Sequence, residues 1–469
     1  MTSIPASDDT VTSTAISPET AVPVEASETS NAPGASGSPG APGSPDAPDP
    51  TKPAGPSLWH NRDYLLLMSG KTTQIIGSGF ATFAVPLIAF ALTQSVFQAG
   101  VISALGAIGY VVATLPAGAI ADRVDRRQLL ILCSAIDFIL LASLVAAIAT
   151  STLTVWHLTL VLFFSAIVAS FFGPAEAGGI RQVVRADQMG SAMAAVQGRS
   201  AVASLVSGPV GGVLYSLGRI FPFLASAVGY AVVLVCTIFV RGPLNEDLGH
   251  TKGTSAWTTL VEGMRFVWSV KFLRTSLFIF ALINLGFNGM MFALNLHLVQ
   301  IATEPVLIGL INAAAGASMV VGSIIAGPLV KRFPAGRLAV VGILVAVIGG
   351  TAMALSTEYW QYLMWIAIAV ILIPAVNSGL IGYASVITPS KLQGRMNAVL
   401  NLSGVAIAPL GPVLAGALLA GLNVNLAMGA FAVLFIIGAI VFSLYKPIRS
   451  IGKPETWEKD LVEWPPRVS

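Results

Sequence analysis

Residues 118–127 read Gly118-Ala119-Ile120-Ala121-Asp122-Arg123-Val124-Asp125-Arg126-Arg127. This charged decapeptide sits in a chain whose charged residues make up only 10% and whose hydrophobic residues make up 55%. Apolar stretches flank it on both sides, at 97–121 and 128–149. Each is close to the roughly 20 residues that a helix needs to cross a bilayer. The decapeptide is therefore expected to be a turn at a membrane surface. In hydrocarbon every backbone polar group must be paired within its own segment, so the flanking stretches are helices rather than strands.

Working outward, the same pattern recurs. Apolar stretches fall near 64–91, 97–121, 128–149, 155–179, 197–217, 220–240, 275–300, 305–330, 338–356, 360–386, 397–421 and 424–445. They predict an all-α polytopic membrane protein with twelve transmembrane helices. A soluble domain carries about 25% charge, and this chain is far below that. Lys and Arg in the loops set orientation. One side receives Arg123, Arg126, Arg127, Arg181, Arg185, Arg241, Lys252, Arg265, Lys271, Arg274, Lys331, Arg332, Arg337, Lys391 and Arg395; the other receives only Arg219. The basic side is expected to be cytoplasmic, with both termini there, in a bacterial cytoplasmic membrane.

The net charge of +3 divides unevenly. Residues 1–60 hold seven acids and one base, Lys52, for a net of −6; the rest holds 24 bases and 15 acids, for a net of +9. Residues 1–56 contain 11 of the 28 prolines among Ser, Ala, Thr and Gly. Such a segment cannot bury enough apolar area to offset its ordering entropy, and is expected to be a disordered cytoplasmic tail. It lacks the basic start and apolar core of a signal peptide. The bases do not gather on a soluble face, so no nucleic-acid partner is expected.

The expected domains are the tail 1–56, a first six-helix half 57–240, a linker 241–274, a second half 275–445 and a C-terminal tail 446–469. In the linker, Trp257, Leu260, Val261, Met264, Val267 and Trp268 fall at helical spacing with Glu262 and Arg265 opposite. This predicts an amphipathic helix lying at the membrane interface.

The halves repeat each other. At a separation of 209, Gly77 matches Gly286, Gly100 matches Gly309, Gly118 matches Gly327 and Arg123 matches Arg332. After a six-residue shift, Met193 matches Met396 and Gly208-Pro209-Val210 matches Gly411-Pro412-Val413. Two such halves can rock about a central site, the basis of alternating access.

The pattern GxxxDRxxRR at 118–127, between helices 2 and 3 of twelve, resembles the signature loop of the major facilitator superfamily. The resemblance implies a twelve-helix fold in two pseudo-symmetric halves. It also implies a cytoplasmic latch that stabilises the outward-open state, carried by Gly118, Asp122, Arg123, Arg126 and Arg127. Gly118 would allow a close helix approach, and Asp122 would accept hydrogen bonds at a helix N-terminus. A plainer reading leaves the arginines fixing topology alone. In the second half Lys331 replaces the acid. Gly208-Pro209-Val210-Gly211-Gly212, repeated as Gly411-Pro412-Val413-Leu414-Ala415-Gly416, resembles the GPxxG motif of the drug:proton antiporter branch. Small residues there permit tight packing between halves. Glu262-Gly263-Met264-Arg265-Phe266-Val267 and Asn61-Arg62-Asp63-Tyr64 look like the secretion-effector branch, of the enterobactin-exporter type. The resemblance covers roughly 57–446.

Asp137 and Lys71 lie deep in helices 3 and 1, about 15 Å and about 12 Å past the last loop charges. A charge at the bilayer centre costs on the order of 2.5–3.5 kcal/mol on insertion scales. Their similar depths suggest a Lys71–Asp137 pair and a proton-coupling role. The alternatives are a static pair, or a lysine that snorkels. Glu176, near the end of helix 4, either pairs with Arg123 or Arg126 in the latch or is solvated. Gln74, Ser78 and Thr82 share a face with Lys71 on helix 1, and Asn284, Asn288, Met291 and Asn295 share one on helix 7. These are candidate cavity-lining residues; interhelical hydrogen bonding is the other reading.

No metal-ligand spacing, disulfide framework or catalytic motif accompanies Cys133, Cys236 and the four scattered histidines, so no cofactor and no enzymatic activity are expected. The expected function is proton-antiport export of a hydrophobic or amphipathic small molecule (a drug, siderophore or metabolite) by a monomer. An organic-solute importer and a transport-dead sensor or scaffold are the alternatives.

Overall fold

The computed structural model describes residues 58–121, 123–244, 256–389, 396, 399 and 404–460. The expectations for residues 1–56, Asp122, Lys252, Lys391 and Arg395 lie outside the described residues, as do those for the side chains of Trp257, Leu260 and Glu262. Among the described residues, twelve helical stretches are long and apolar enough to cross a membrane.

The first six are α1 (Arg62–Thr93), α2 (Val96–Ala121), α3 (Arg126–Ala149), α4 (Val155–Val183), α5 (Met189–Leu217) and α6 (Phe221–Phe239). After α7 (Ala256–Ser269) come α8 (Lys271–Gln300), α9 (Pro305–Arg332) and α10 (Ala335–Ala354). The chain continues through α11 (Tyr359–Val370), α12 (Ile373–Ile387), α13 (Leu410–Gly421), α14 (Val424–Leu444) and the short α15 (Lys446–Arg449). α11 and α12 together form one span; Pro374, at the start of α12, lacks an N–H and breaks the ladder between them. α5 begins eight residues before the expected 197, because the small residues of 189–196 continue the helix despite their lower hydropathy.

Caps fix where several helices start. Asn61 Oδ1 accepts from Tyr64 N at 3.2 Å, and its Nδ2 donates to Val183 O at 2.7 Å, tying the start of α1 to the end of α4. Asp125 Oδ1 accepts from Arg127 N at 2.8 Å and Gln128 N at 3.2 Å and so caps α3. Asp125 is therefore the acid that caps α3; Asp122 lies outside the described residues.

The two halves pack alike. α1 lies on α6 as α8 lies on α14, and α3 on α6 as α10 on α14. A Cβ on Gly77 would meet the Ala225 carbonyl of α6 at 2.8 Å, and one on the matching Gly286 would meet Phe435 N of α14 at 2.8 Å. Direct contact between the halves runs chiefly through two equivalent helix pairs, α5 with α9 and α13 with α2. In the first, a Cβ on Gly208 would stand 2.6 Å from Gly309 O, and one on Gly212 would stand 2.9 Å from Val306 Cα. In the second, Gly100 lies against the Pro412 carbonyl, and a Cβ on Gly416 would stand 2.8 Å from Val96 O. Only glycine allows backbones this close.

These clamps lie toward one end of the bundle, away from the 118–127 turn. At the basic end Gly118, Gly198 and Gly327 have nothing within 4 Å of an added Cβ. Gly118 thus makes no close helix contact in this conformation. Among the described residues the close approaches between the halves lie at the end away from the 118–127 turn, and α7 also contacts α2.

α7 docks on the second half differently from the expected stripe. Phe266 and Val267 are fully buried with Leu273, Ala384, Met396 and Val399. Val261 and Trp268 are exposed, and Trp268 meets the Phe278 ring edge-on at 5.8 Å. The segment after α14 is also packed. Ile448 and Ile451 are buried, and Trp457 sits 5.9 Å from the Tyr383 ring. Ala335 N and Gly336 N donate to Gly452 O and Ile451 O, each at 3.1 Å, so this segment satisfies orphan donors at the start of α10.

Candidate functional site

Charge is concentrated in the interior of the first half. Lys71, Asp137, Glu176 and Arg199 come from α1, α3, α4 and α5. By helix rise, each lies between about 10 and 17 Å from the basic end of its helix, which makes one layer.

Glu176 does not reach Arg123 or Arg126. Its Oε1 accepts from Arg199 Nη1 at 2.6 Å, with side chains 12% and 5% exposed. Arg199 Nη1 also lies 3.4 Å from Met68 Sδ. Arg199 is absent from the sequence expectations, because it sits beside the assumed start of helix 5. Its only signal was a basic residue eleven positions after Gln188, well past the loop. Arg199 Nε and Tyr64 Oη are buried without hydrogen bonds.

Lys71 and Asp137 share the layer but form no pair. Ion pairs among the described residues join Arg199 to Glu176 and Arg185 to Asp187. Lys71 Nζ lies 4.3 Å above the centroid of Phe172, a cation–π arrangement. Glu176, one helical turn from Phe172, lines the same small cavity as Lys71. Asp137 is completely buried, and neither carboxylate oxygen closes a hydrogen bond of good geometry. Ser165 and Tyr230 are its polar neighbours.

Gln74 is buried rather than cavity-lining: its Nε2 donates to Tyr230 Oη at 3.1 Å, because that face of α1 packs on α6. Ser78 is half-buried and Thr82 exposed; their hydroxyls donate to Ile75 O and Ser78 O in their own helix.

Of the 118–127 arginines, Arg126 and Arg127 reach backbone carbonyls at the end of α6 and just after it. Arg126 lies across Gly178 of α4 and donates to Leu244 O at 3.2 Å. Arg127 donates to Ile238 O at 2.6 Å, at the C-terminal end of α6, where carbonyls are unpaired and the dipole favours a cation. Asp63 reaches the same region, accepting from Arg241 N at 3.1 Å and Gly242 N at 2.8 Å. Arg123 is exposed.

In the second half, Asn284 and Asn288 are exposed on α8. Asn284 Nδ2 donates to Phe280 O and Asn288 Nδ2 to Asn284 O, each at 2.9 Å, and Asn288 Nδ2 also lies 3.4 Å from Asn284 Oδ1, so the Asn288 oxygen is the acceptor left over. Met291 is half-buried and packs on the core, and half-buried Asn295 bonds its own helix. The opposite face of α8 carries Gly286 and Gly289, which lie on α14. Gly411 packs on Gly289 within the second half, while Pro412 one residue on faces Gly100 across the interface.

Comparison with known proteins fits this architecture. The family model of the Major Facilitator Superfamily matches residues 67–373 and again 297–467. Macrolide efflux protein A of Streptococcus pyogenes is 26% identical over 233 residues, covering 48% of this chain and 54% of that protein. The chain thus spans about half the length of the curated relatives it matches. The crystal structure of the nucleoside transporter NupG superposes with TM-score 0.63 at 13% identity, covering 81% of this chain and 98% of that one. A bacterial homolog of the human lysosomal transporter Spinster, in an inward-facing and unoccupied conformation, gives TM-score 0.63 at 18% identity, covering 86% and 99%. At these identities the solved structures speak for the fold alone. With the family matched over most of its length and the repeated six-helix halves in place, the chain belongs to the Major Facilitator Superfamily and carries the twelve candidate spans of a multi-pass membrane protein.

Proposed function

We propose that the protein exports a hydrophobic or amphipathic small molecule by alternating access, with inward proton movement driving the cycle. The observation that carries the proton reading is Asp137: a completely buried carboxyl group at mid-span depth with no closed hydrogen bond and no ion pair. A charge so placed is costly, so a proton's arrival or departure there changes the local energy more than at a solvated acid. The outward direction is supported by the partial match to a macrolide efflux protein. The substrate class is supported by the exposed amides of Asn284 and Asn288 on a helix otherwise apolar at that depth. They suit polar atoms on a largely apolar molecule.

In this reading the clamped end is extracellular, the basic end and both termini are cytoplasmic, and the basic loops fix that topology. The protein works as a monomer in a bacterial cytoplasmic membrane and belongs to the secretion-effector branch. Residues 1–56 form a tether, 57–240 and 275–445 are the rocking halves, and 241–274 links them. Residues 446–469 are the C-terminal segment, whose described part is packed on the second half. Gly118, Asp122, Arg123, Arg126 and Arg127 serve as the cytoplasmic latch when that end closes.

The test is flux in proteoliposomes holding the full chain, with a labelled macrolide and a fluorescent amphipathic cation as probes. A proton gradient is expected to drive at least one probe uphill, and Asp137→Asn to abolish this. Proton-coupled flux unchanged in Asp137→Asn contradicts the proton role. No movement of any probe from a broad amphipathic panel contradicts the exporter.

A further inference from the structure

Lys71 is suspended between two acids and bonded to neither. Its ammonium rests on the face of Phe172, whose ring lies 5.8 Å from that of Tyr230. Tyr230 neighbours Asp137 on one side. On the other side, Glu176 follows Phe172 by one turn of α4 and holds Arg199 of α5. A cavity of about 10 Å³, room for about one water, is lined by Lys71, Phe172, Glu176, Leu130 and Thr237. Space for Lys71 to move therefore lies on the Glu176 side. Arg199 stands on the helix whose Gly208 and Gly212 form one of the two clamps between halves.

We propose that Lys71 is a switch cation that carries the protonation state of Asp137 to the Glu176–Arg199 pair, and through Arg199 to the α5–α9 clamp. With Asp137 ionised, Lys71 turns toward it. When Asp137 takes a proton from water, Lys71 is released toward Glu176, which then divides its charge between Lys71 and Arg199. The Arg199–Glu176 bond loosens, and α5 is freed to tilt against α9. The step transfers one proton to one carboxylate and breaks no other covalent bond. The titratable or charged groups facing this path are Tyr64 and Lys71 on α1, Cys133 and Asp137 on α3, Glu176 on α4, Arg199 on α5, and Tyr230 and Cys236 on α6. Lys71, Glu176 and Arg199 are positioning residues in this scheme, which rests on the proton reading of Asp137.

Two readouts on the full chain in proteoliposomes separate the scheme from that reading. Infrared difference spectra between acid and alkaline buffer report Asp137 as a carboxylic C=O band that vanishes in Asp137→Asn. Spin labels at Arg181→Cys and Phe333→Cys, with Cys133→Ala and Cys236→Ala, report the separation of the halves at the basic end. Both label sites are exposed. In the otherwise unchanged chain, acid is expected to shift the ratio of the two distance populations by at least about fivefold, the low end of ordinary coupling energies. Lys71→Met and Glu176→Gln are expected to keep the Asp137 band and lose that shift, and Lys71→Arg to recover part of it. A band that persists beside a full shift in Lys71→Met or Glu176→Gln overturns the switch. Absence of the band overturns the proton reading, and the switch with it.

Discussion

The two halves share one architecture and differ in chemistry. At the separation of 209 that aligns them, Lys71 corresponds to Phe280 and Asp137 to Ala346. Phe280 packs edge-on against Phe442 at 6.0 Å, and Ala346 is buried in the apolar core of the second half. At the separation of 203, Arg199 corresponds to Leu402. The buried polar residues described in the second half are Ser276, Ser318, Ser356 and Thr388, none of them charged, against Asp137 and Arg199 in the first. At Phe280 and Ala346 the fold therefore stands on apolar side chains; Leu402 lies outside the described residues. Charge in the first half is an addition to the scaffold, held at a cost that burial makes substantial. The second half instead contributes neutral amides on α8.

The sharpest way to break this comparison is to give the first half the residue of the second. Asp137→Ala is expected to fold, because alanine fits the equivalent position, and to lose proton-driven flux on the order of 100-fold. Flux with and without an imposed proton gradient checks this. A variant that fails to fold would assign Asp137 to structure.

The next effect separates a pair from its members. Glu176→Ala leaves Arg199 buried without its partner, and is expected to lower stability by about 3–5 kcal/mol. Replacing both, Glu176→Leu with Arg199→Met, is expected to restore most of it. Thermal unfolding in detergent, with the single and double variants in one cycle, measures the difference.

The clamps test the symmetry itself. Gly309→Val and its counterpart Gly100→Val each place side chains against backbone. Overpacking of this kind costs about 1–3 kcal/mol. The two variants are expected to shift the halves by similar amounts, as read by labels at the clamped end. Unequal shifts would mean that one clamp dominates.

The smallest effect is at the amides. Asn288→Leu is expected to change the apparent affinity of an amphipathic probe by about threefold, which matches the roughly 0.6 kcal/mol of a membrane hydrogen bond. Competition between probes in vesicles measures it.

Much of the fold was legible because a bilayer demands long apolar helices, which hydropathy displays directly, and because the 209-residue repeat pairs the helices of the two halves. The clamp glycines were visible as repeated small residues around Pro209 and Pro412. What escaped has a physical reason in each case. Arg199 lies two residues inside the expected start of helix 5 at 197, and only the earlier start of α5 at Met189 puts it well inside the helix. Depth along two helices says nothing of rotation, and the rotation of α1 turns Lys71 onto Phe172 rather than onto Asp137. The same rotation buries Gln74 against Tyr230. Glu176 found its partner on α5, a pairing that only tertiary contact decides. Trp457 lies in a short stretch with no periodicity, so its docking beside Tyr383 left no pattern to read.

The central claim is that proton exchange belongs to the first half and opposes substrate movement. It is tested most directly by a pH-sensitive dye inside proteoliposomes while an amphipathic substrate gradient is imposed. The account predicts proton movement opposite in direction to the substrate, lost in Asp137→Ala while gradient-driven substrate flux persists. Substrate flux without proton movement, or with protons moving in the same direction, would contradict it.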